Sequence, residues 1–429
     1  MIRAVRDRLR AGPRAGVLAL VTGSAAGQGI ALISTPVLAR LYSPDAFGIF
    51  SYLLAVSLVM TAVATLRLET AIPLARTIDD SRALVRIALV VPVCLALPVA
   101  AAVASSHRTL SALAGFDVLP WAWWLLPLVI LTAWFNVLSE AAIRDRAYSA
   151  IAARTFIQSI GVAAGQAASA AVTRSAGGLL TGQVIGRSFG MLALARTARH
   201  LLVRPPAGAA RRVARRYWRF PVVLTPSALL NTLGTNLPLI LVGAWFGPQA
   251  AGYLGLTQRV ALAPTVLVAV AVGQVFSGEL SSQLRRGAFD NRALYLRTSR
   301  RLAIGAATVA AGLLALSGRA FPFVLGDEWA PGGAYARAIA LSVAAGFVAS
   351  PVSSILIAYE RVVTNVLLDV SRIALVGGAG VAAYVAGFSA VETLWVMSVA
   401  QAVTYAMTWI IGLRVSSDLP SRRSPGQRE

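Results

Sequence analysis

The sequence predicts an all-α membrane protein, with about twelve transmembrane helices in two parallel-repeat six-helix bundles. Three observations predict it. The composition is too apolar for water, arginine alternates between successive links, and one short motif recurs at matching places in the two halves.

Hydrophobic residues make up 57% of the 429, and charged residues only 13%. Mean hydropathy is +0.71. A soluble domain carries about 25% charged residues, so most of this chain must face lipid or other helices. The net charge is +22, and every basic side chain is arginine. On a soluble protein that charge would suggest nucleic acid. Here the arginines cluster in short links between apolar runs rather than on one folded face, which argues against a nucleic-acid partner. Cys94 is the single cysteine, and His107 and His200 are the two histidines. They offer no disulfide, metal set or cofactor ligand group.

Apolar runs of roughly 20 residues mark each spanning helix. In the first half they centre near Gly27, Val56, Cys94, Ile130, Val162 and Gly186. In the second half they centre near Leu237, Pro264, Ala310, Gly346, Leu375 and Ala402. The first run, from about Ala15 to Ala39, outlasts the roughly 7–15 residues of a signal-peptide core, so it reads as a retained membrane helix.

Cytoplasmic links should be rich in arginine and exported ones poor. Arg3, Arg6, Arg8, Arg10 and Arg14 precede helix 1, and Arg67, Arg76, Arg82 and Arg86 lie between helices 2 and 3. Arg144, Arg146 and Arg154 lie near the 4–5 link. The 6–7 link holds Arg196, Arg199, Arg204, Arg211, Arg212, Arg215, Arg216 and Arg219. Arg285, Arg286, Arg292, Arg297, Arg300 and Arg301 fall at the 8–9 link, and Arg414, Arg422, Arg423 and Arg428 follow helix 12. The alternate links hold Arg40, Arg108, Arg174 and Arg319, and the 10–11 link, with Arg361, is the weak step. The alternation predicts a multi-pass protein of the bacterial inner membrane with both termini cytoplasmic.

The basic stretch 204–219, with Pro205 and Pro206, separates an N-terminal lobe, 1–203, from a C-terminal lobe, 220–429. Ser43-Pro44-Asp45-Ala46-Phe47-Gly48 and Gly247-Pro248-Gln249-Ala250-Ala251-Gly252 share the form small-Pro-x-Ala-x-Gly. Each opens the second helix of its half, with Pro36 and Pro238 upstream. An even number of helices per repeat makes the repeats parallel.

Catalysis has little to work with. The exported acids Asp45, Asp117, Asp327, Glu328 and Glu392 are scattered, and no paired carboxylates, Ser/His/Asp set or phosphate-cradling loop is visible. Charge inside the helices is more informative. An ion at the bilayer centre costs at least about 2.5–3.5 kcal/mol, so it faces protein or a wet cavity. Arg187, Arg259 and Arg372 lie within helices 6, 8 and 11, and Arg154 and Arg337 enter helices 5 and 10. A cavity lined by guanidinium suits phosphate, through a planar fork of donors that stays charged. The competing readings are structural. Arg372 can pair with Asp369, three residues before it. Arg154 and Arg337 can reach back to the interface, the reading their positions favour. Arg67 with Glu69 suits an ion pair closing helix 2 better than a substrate contact.

Gly178, Gly182, Gly186 and Gly190 repeat every four residues in helix 6, as do Gly161 and Gly165 in helix 5 and Gly23 and Gly27 in helix 1. That spacing makes smooth faces for close helix contact. Gln28, Gln158, Gln166, Gln183, Asn231, Asn236 and Gln274 either join helices by hydrogen bonds or line a cavity for sugar hydroxyls; Gln28 and Asn236 are retained as candidate lining.

Residues Thr35 through Gly48 resemble the helix 1–2 junction of Wzx-type oligosaccharide flippases, and Arg67-Leu68-Glu69-Thr70-Ala71-Ile72 resembles their helix 2 end. Asn236-Leu237-Pro238, the stretch Phe246–Tyr253, Gln258-Arg259-Val260 and Pro264 resemble their helix 7–8 segment. The resemblance implies the fold of the multidrug/oligosaccharidyl-lipid/polysaccharide (MOP) exporters, which is MATE-like. It implies a non-enzymatic flippase moving undecaprenyl-pyrophosphate-linked oligosaccharide outward by alternating access, for O-antigen, capsule or exopolysaccharide. Its partners would be that glycolipid, membrane lipids, a polysaccharide polymerase and chain-length proteins. The candidate lining is then Arg187, Arg259, Arg372, Arg154, Arg67, Glu69, Gln28 and Asn236. The alternative on the same fold is a cation-coupled multidrug exporter, which would want a deep acid that helix 1 lacks.

Overall fold

The computed structural model describes residues 13–106, 108, 111, 116–286 and 290–417. Arg3, Arg6, Arg8, Arg10, His107, Arg422, Arg423 and Arg428 lie outside the described residues, as do the side chains of Arg14, Arg285 and Arg286.

The described chain is helical, with no strand among the described residues. The long helices are α1 (Pro13–Leu41), α2 (Pro44–Ala64), α3 (Ile78–Ser105), α4 (Leu125–Arg144), α5 (Tyr148–Ser169) and α6 (Ala176–Thr197). They continue with α7 (225–246) and α8 (248–286), which Gly247 divides at φ 82°. Then come α9 (Asn291–Leu325), α10 (Gly332–Val352), α11 (Val362–Val385) and α12 (Ala390–Ser417). Each covers an apolar run marked from sequence. Among the described residues, 9 stretches are long and apolar enough to cross a membrane, and one of them, Phe220–Leu262, runs from α7 through the Gly247 break into α8. Helices α1, α5 and α6 are not among the nine. In α5 and α6 the reason is legible: Arg154, Gln158, Gln166, Gln183 and Arg187 lower their hydropathy.

Local chemistry sets the helix ends. The Ser43 Oγ accepts from the Ala46 N–H at 3.3 Å, and Pro44 fills the first turn of α2, where its missing donor costs nothing. The end of α4 and the end of the short helix Ser354–Ala358, which follows α10, close alike. Arg146 and Glu360 adopt φ of 55° and 56°. The Ala147 N–H then donates to the Ala142 carbonyl, and the Arg361 N–H to the Leu356 carbonyl, each at 2.8 Å. This left-handed closure satisfies the last helical carbonyls. Its recurrence after the fourth helix and after the segment that follows the tenth fits a six-helix repeat.

The chain's contacts group into two compact units, residues 1–260 with 318–335, and 261–317 with 336–429. In the first, the repeated motifs meet. A Cβ on Gly48 would overlap the Pro248 carbonyl, and one on Gly252 would overlap the Pro44 carbonyl. Equivalent residues of α2 and α8 thus touch each other reciprocally, as about a local two-fold. This contact draws α7 and the start of α8 into the first unit.

Two ends of the first unit differ in character. At one, Leu68, Ile72, Leu84, Val137, Leu194, Leu201, Val213 and Tyr217 form a buried cluster. The arginine-rich links converge around it. Arg144 donates to the Ile72 and Ala75 carbonyls at 3.3 and 2.7 Å, and Arg82 to the His200 carbonyl at 3.1 Å. Arg212 pairs with Asp80 and His200 with Asp145. The 2–3, 4–5 and 6–7 links therefore share one face, as the arginine alternation predicts. At the other end Trp329 is fully buried, donates to the Ala39 carbonyl at 2.7 Å, and meets Phe47 and Tyr253 edge to face. Such ring pairs contribute about 0.5–1.5 kcal/mol each.

The second unit packs Phe276, Tyr295 and Phe347 among its core. The Tyr295 hydroxyl donates to the Trp409 carbonyl at 2.9 Å, and the Trp409 indole donates to Ser299 at 2.9 Å.

Gly48→Ala or Gly252→Ala is expected to lower the thermal stability of the detergent-solubilised protein by at least about 1–3 kcal/mol, the usual cost of overpacking. Gly378→Ala, where a Cβ meets nothing within 4 Å, is the control expected to be neutral or stabilising. Equal melting of all three would refute the reciprocal contact.

Candidate functional site

Helices α5 and α6 approach closely enough that glycine is required between them. A Cβ on Gly182 would overlap the Gln166 backbone, one on Gly186 the Val162 backbone, and one on Gly190 would crowd the Gln158 side chain. Gly23 and Gly27 of α1 meet Ala152, Thr155 and Ser159 of α5 in the same way. The glycine faces are packing surfaces, as their spacing predicts. They bring Arg154 of α5 and Arg187 of α6 onto a common neighbour, α4.

Arg154 is 4% exposed. Its Nη1 donates to Ser139 Oγ at 3.3 Å, and its guanidinium lies over the Phe135 ring at 3.3 Å. The sequence reading favoured reach to the interface; the side chain instead turns inward. A position two turns into α5 and an aromatic ring on α4 hold it there. Arg187 is half-buried and donates to the Thr132 hydroxyl. With the Gln183 amide oriented to satisfy it, Oε1 accepts from Arg187 Nε at 3.0 Å and Nη2 at 3.3 Å. Thr132 and Ser139 lie two turns apart on one face of α4, about 10 Å along its axis.

Hydroxyls, an amide and a ring are the partners of these cations; no carboxylate pairs with either among the described residues. The Arg154 Nε and Gln158 Oε1 are buried without hydrogen bonds. The site therefore holds surplus positive charge and a spare donor, the Arg154 Nε, an arrangement that attracts an anion.

The other sequence-selected residues stand apart. Arg67 adopts φ 54° after α2 and pairs with buried Glu69 at 3.5 Å. Glu140 of α4 is half-buried next to Ser139, and sequence reasoning had not singled it out. In the second unit Arg372 pairs with buried Asp369 at 3.4 Å and faces the Tyr405 ring at 5.5 Å. Its charge is locally compensated. Arg337 is exposed. Arg259 is half-buried on α8, and among the described residues it has no hydrogen bond or ion pair. Asn236 donates to its own helix at the Thr232 carbonyl, 2.8 Å, and Gln28 is half-buried on α1. Among the described residues, no group of three His, Cys, Asp or Glu side chains could hold a metal.

A family model described as polysaccharide biosynthesis protein matches residues 37–332. The teichuronic acid biosynthesis protein TuaB of Bacillus subtilis (strain 168) is 22% identical over 217 residues. That stretch is 49% of this chain and 44% of TuaB, so the chain matches less than half the length of this relative. Solved structures share the fold. A multidrug resistance MATE family transporter of the MOP superfamily in an inward-facing conformation aligns with TM-score 0.61 and 12% identity, over 95% of this chain and 96% of that one. A Vibrio cholerae MATE transporter aligns with TM-score 0.61 and 12% identity, over 94% and 95%. A MOP superfamily transporter from Pyrococcus furiosus, described by a binding pocket of reversed polarity, aligns with TM-score 0.61 and 11% identity, over 95% and 97%.

Two substitutions separate compensated from uncompensated charge. Asp369→Ala strands a buried cation and is expected to cost about 3–5 kcal/mol of stability in a thermal melt. Arg187→Met removes a cation that no carboxylate balances, so stability is expected to hold or rise. The reverse ranking would show that Arg187 is structural.

Proposed function

The chain belongs to the polysaccharide biosynthesis protein family, and we propose that it is a flippase for lipid-linked oligosaccharide. Family and fold make it a polysaccharide-related, multi-pass membrane transporter. The proposal adds the cargo and direction: an oligosaccharide on undecaprenyl pyrophosphate, moved from the cytoplasmic to the outer leaflet of the inner membrane. The cargo supplies O-antigen, capsule or exopolysaccharide, and a polymerase with chain-length proteins receives it. No bond is made or broken, so the protein is not an enzyme.

The observation that carries this reading is the pair Arg154 and Arg187, held on adjacent helices without a carboxylate partner among the described residues. Burying such cations is costly unless something neutralises them. A pyrophosphate does so, and its oxygens match the guanidinium fork. The hydroxyls of Thr132 and Ser139 and the amides of Gln158 and Gln183 offer partners to the sugar, while the prenyl tail stays in lipid. Arg259, Gln28 and Asn236 are further candidate contacts. Arg67, Glu69 and Arg372 are assigned to structure, because each is already paired. A cationic drug would be repelled by this site, which favours the glycolipid over the multidrug reading. Alternating access between six-helix lobes, 1–203 and 220–429, joined by the basic linker 204–219, completes the proposal, with both termini cytoplasmic.

Arg154→Ala and Arg187→Ala are each expected to cut surface-polymer export about 10–100-fold in a complemented deletion strain, the loss of one charged hydrogen-bonding group. Lipid-linked precursor should build up on the cytoplasmic side at normal protein levels. Normal export by both variants would remove the site from the mechanism. Rescue of drug resistance in an exporter-deficient strain would favour the multidrug reading.

A further inference from the structure

We propose that the short helix Ala209–Arg216, with the residues that follow it, is a binding site for anionic phospholipid headgroups. The proposal does not depend on the cargo assigned above. Gly208, at φ 81°, turns the chain out of Pro205-Pro206 and into this helix. Ala209, Val213 and Tyr217 follow at four-residue steps, and all three are buried in the arginine-rich end of the first unit. The Tyr217 hydroxyl donates to the Leu74 carbonyl at 3.3 Å. Docking one face of the helix forces its arginines onto the other.

Arg211, Arg212, Arg215 and Arg216 with Gly208 line a single open concavity of about 480 Å³. Arg212 is tied to Asp80 at 3.2 Å. Among the described residues no acid pairs with Arg211, Arg215 or Arg216, and all three are exposed. Packing four like charges into one hollow costs repulsion that a bound polyanion would relieve.

The surroundings identify the anion as a membrane one. Trp218, Val222 and Val223 are 54%, 60% and 48% exposed, and Leu202 and Val203 are 44% and 52% exposed. Arg219 lies over the Trp218 ring at 5.9 Å. Exposed apolar side chains flanking a basic helix along the chain suit the boundary between headgroups and acyl chains, where tryptophan is favoured. Basic pockets at that level on the cytoplasmic side bind lipid phosphates. A nucleotide or free phosphate would leave these exposed apolar side chains in water. Phosphatidylglycerol, or a lipid with two phosphodiesters, satisfies both halves.

The test uses the full-length protein in detergent, given phosphatidylglycerol or phosphatidylcholine, with retained lipid read by native mass spectrometry. Wild type should prefer phosphatidylglycerol. Each arginine contributes about fivefold, so Arg211→Gln/Arg215→Gln/Arg216→Gln should lower that preference on the order of 100-fold, and Arg215→Gln alone about fivefold. The triple variant changes only exposed side chains, so its melting without lipid should match wild type; if it fails to fold, the single variant decides. Equal retention of both lipids by wild type, or unchanged preference in the variants, would overturn the proposal. Displacement of phosphatidylglycerol by an equal concentration of geranyl pyrophosphate would also overturn it, by giving the hollow to a prenyl pyrophosphate.

Discussion

The backbones of α5 and α6 meet with no side chain between them, and much of the first unit is arranged by that contact. In lipid, helices gain nothing from hiding apolar surface from water, so association rests on close van der Waals fit and on hydrogen bonds. Gly161, Gly165, Gly182 and Gly186 provide the fit. Gly23 and Gly27 extend it to α1. Once these backbones are locked, the long side chains at Arg154 and Arg187 cannot lie between α5 and α6. Both reach α4, where Ser139, Phe135 and Thr132 receive them. A packing requirement thus fixes where the charge goes.

Many of this chain's arginines fall into three physical classes. Several of the links bond to carbonyls and acids at one end of the first unit, as Arg144, Arg82 and Arg212 do. Arg67 and Arg372 are half-buried, each paired with a buried carboxylate. Arg154 and Arg187 have neutral partners, which orient guanidinium without cancelling its charge. That third class is expensive to maintain in an apolar bundle. It makes sense where an anion periodically supplies the missing charge.

Much of this was legible in the sequence. Helix positions followed from apolar length, and the shared face of the links followed from where arginine falls. The glycine faces and the Asp369–Arg372 alternative were visible as spacings of four and three. Other features depend on the third dimension. Arg154 sits close enough to a helix end to suggest an interfacial role, and only the placement of Phe135 on α4 turns it inward. Thr132, Ser139 and Glu140 looked like ordinary residues of an apolar run until α4 was seen to lie beside α5 and α6. The paired small-Pro-x-Ala-x-Gly motifs were evident as a repeat, yet nothing in one dimension said that they touch. The helix 209–216 read as a charge run because its two buried positions, Ala209 and Val213, are spaced among six arginine or alanine neighbours.

The account stands on surplus positive charge in α5 and α6 that is open to a phosphate. Titrating the purified protein with geranyl pyrophosphate, in parallel with Arg154→Gln/Arg187→Gln, tests that most directly. Saturable binding that weakens with salt and falls at least tenfold in the double variant is the predicted result. Equal affinity in both proteins, or no binding to the wild type, would contradict it.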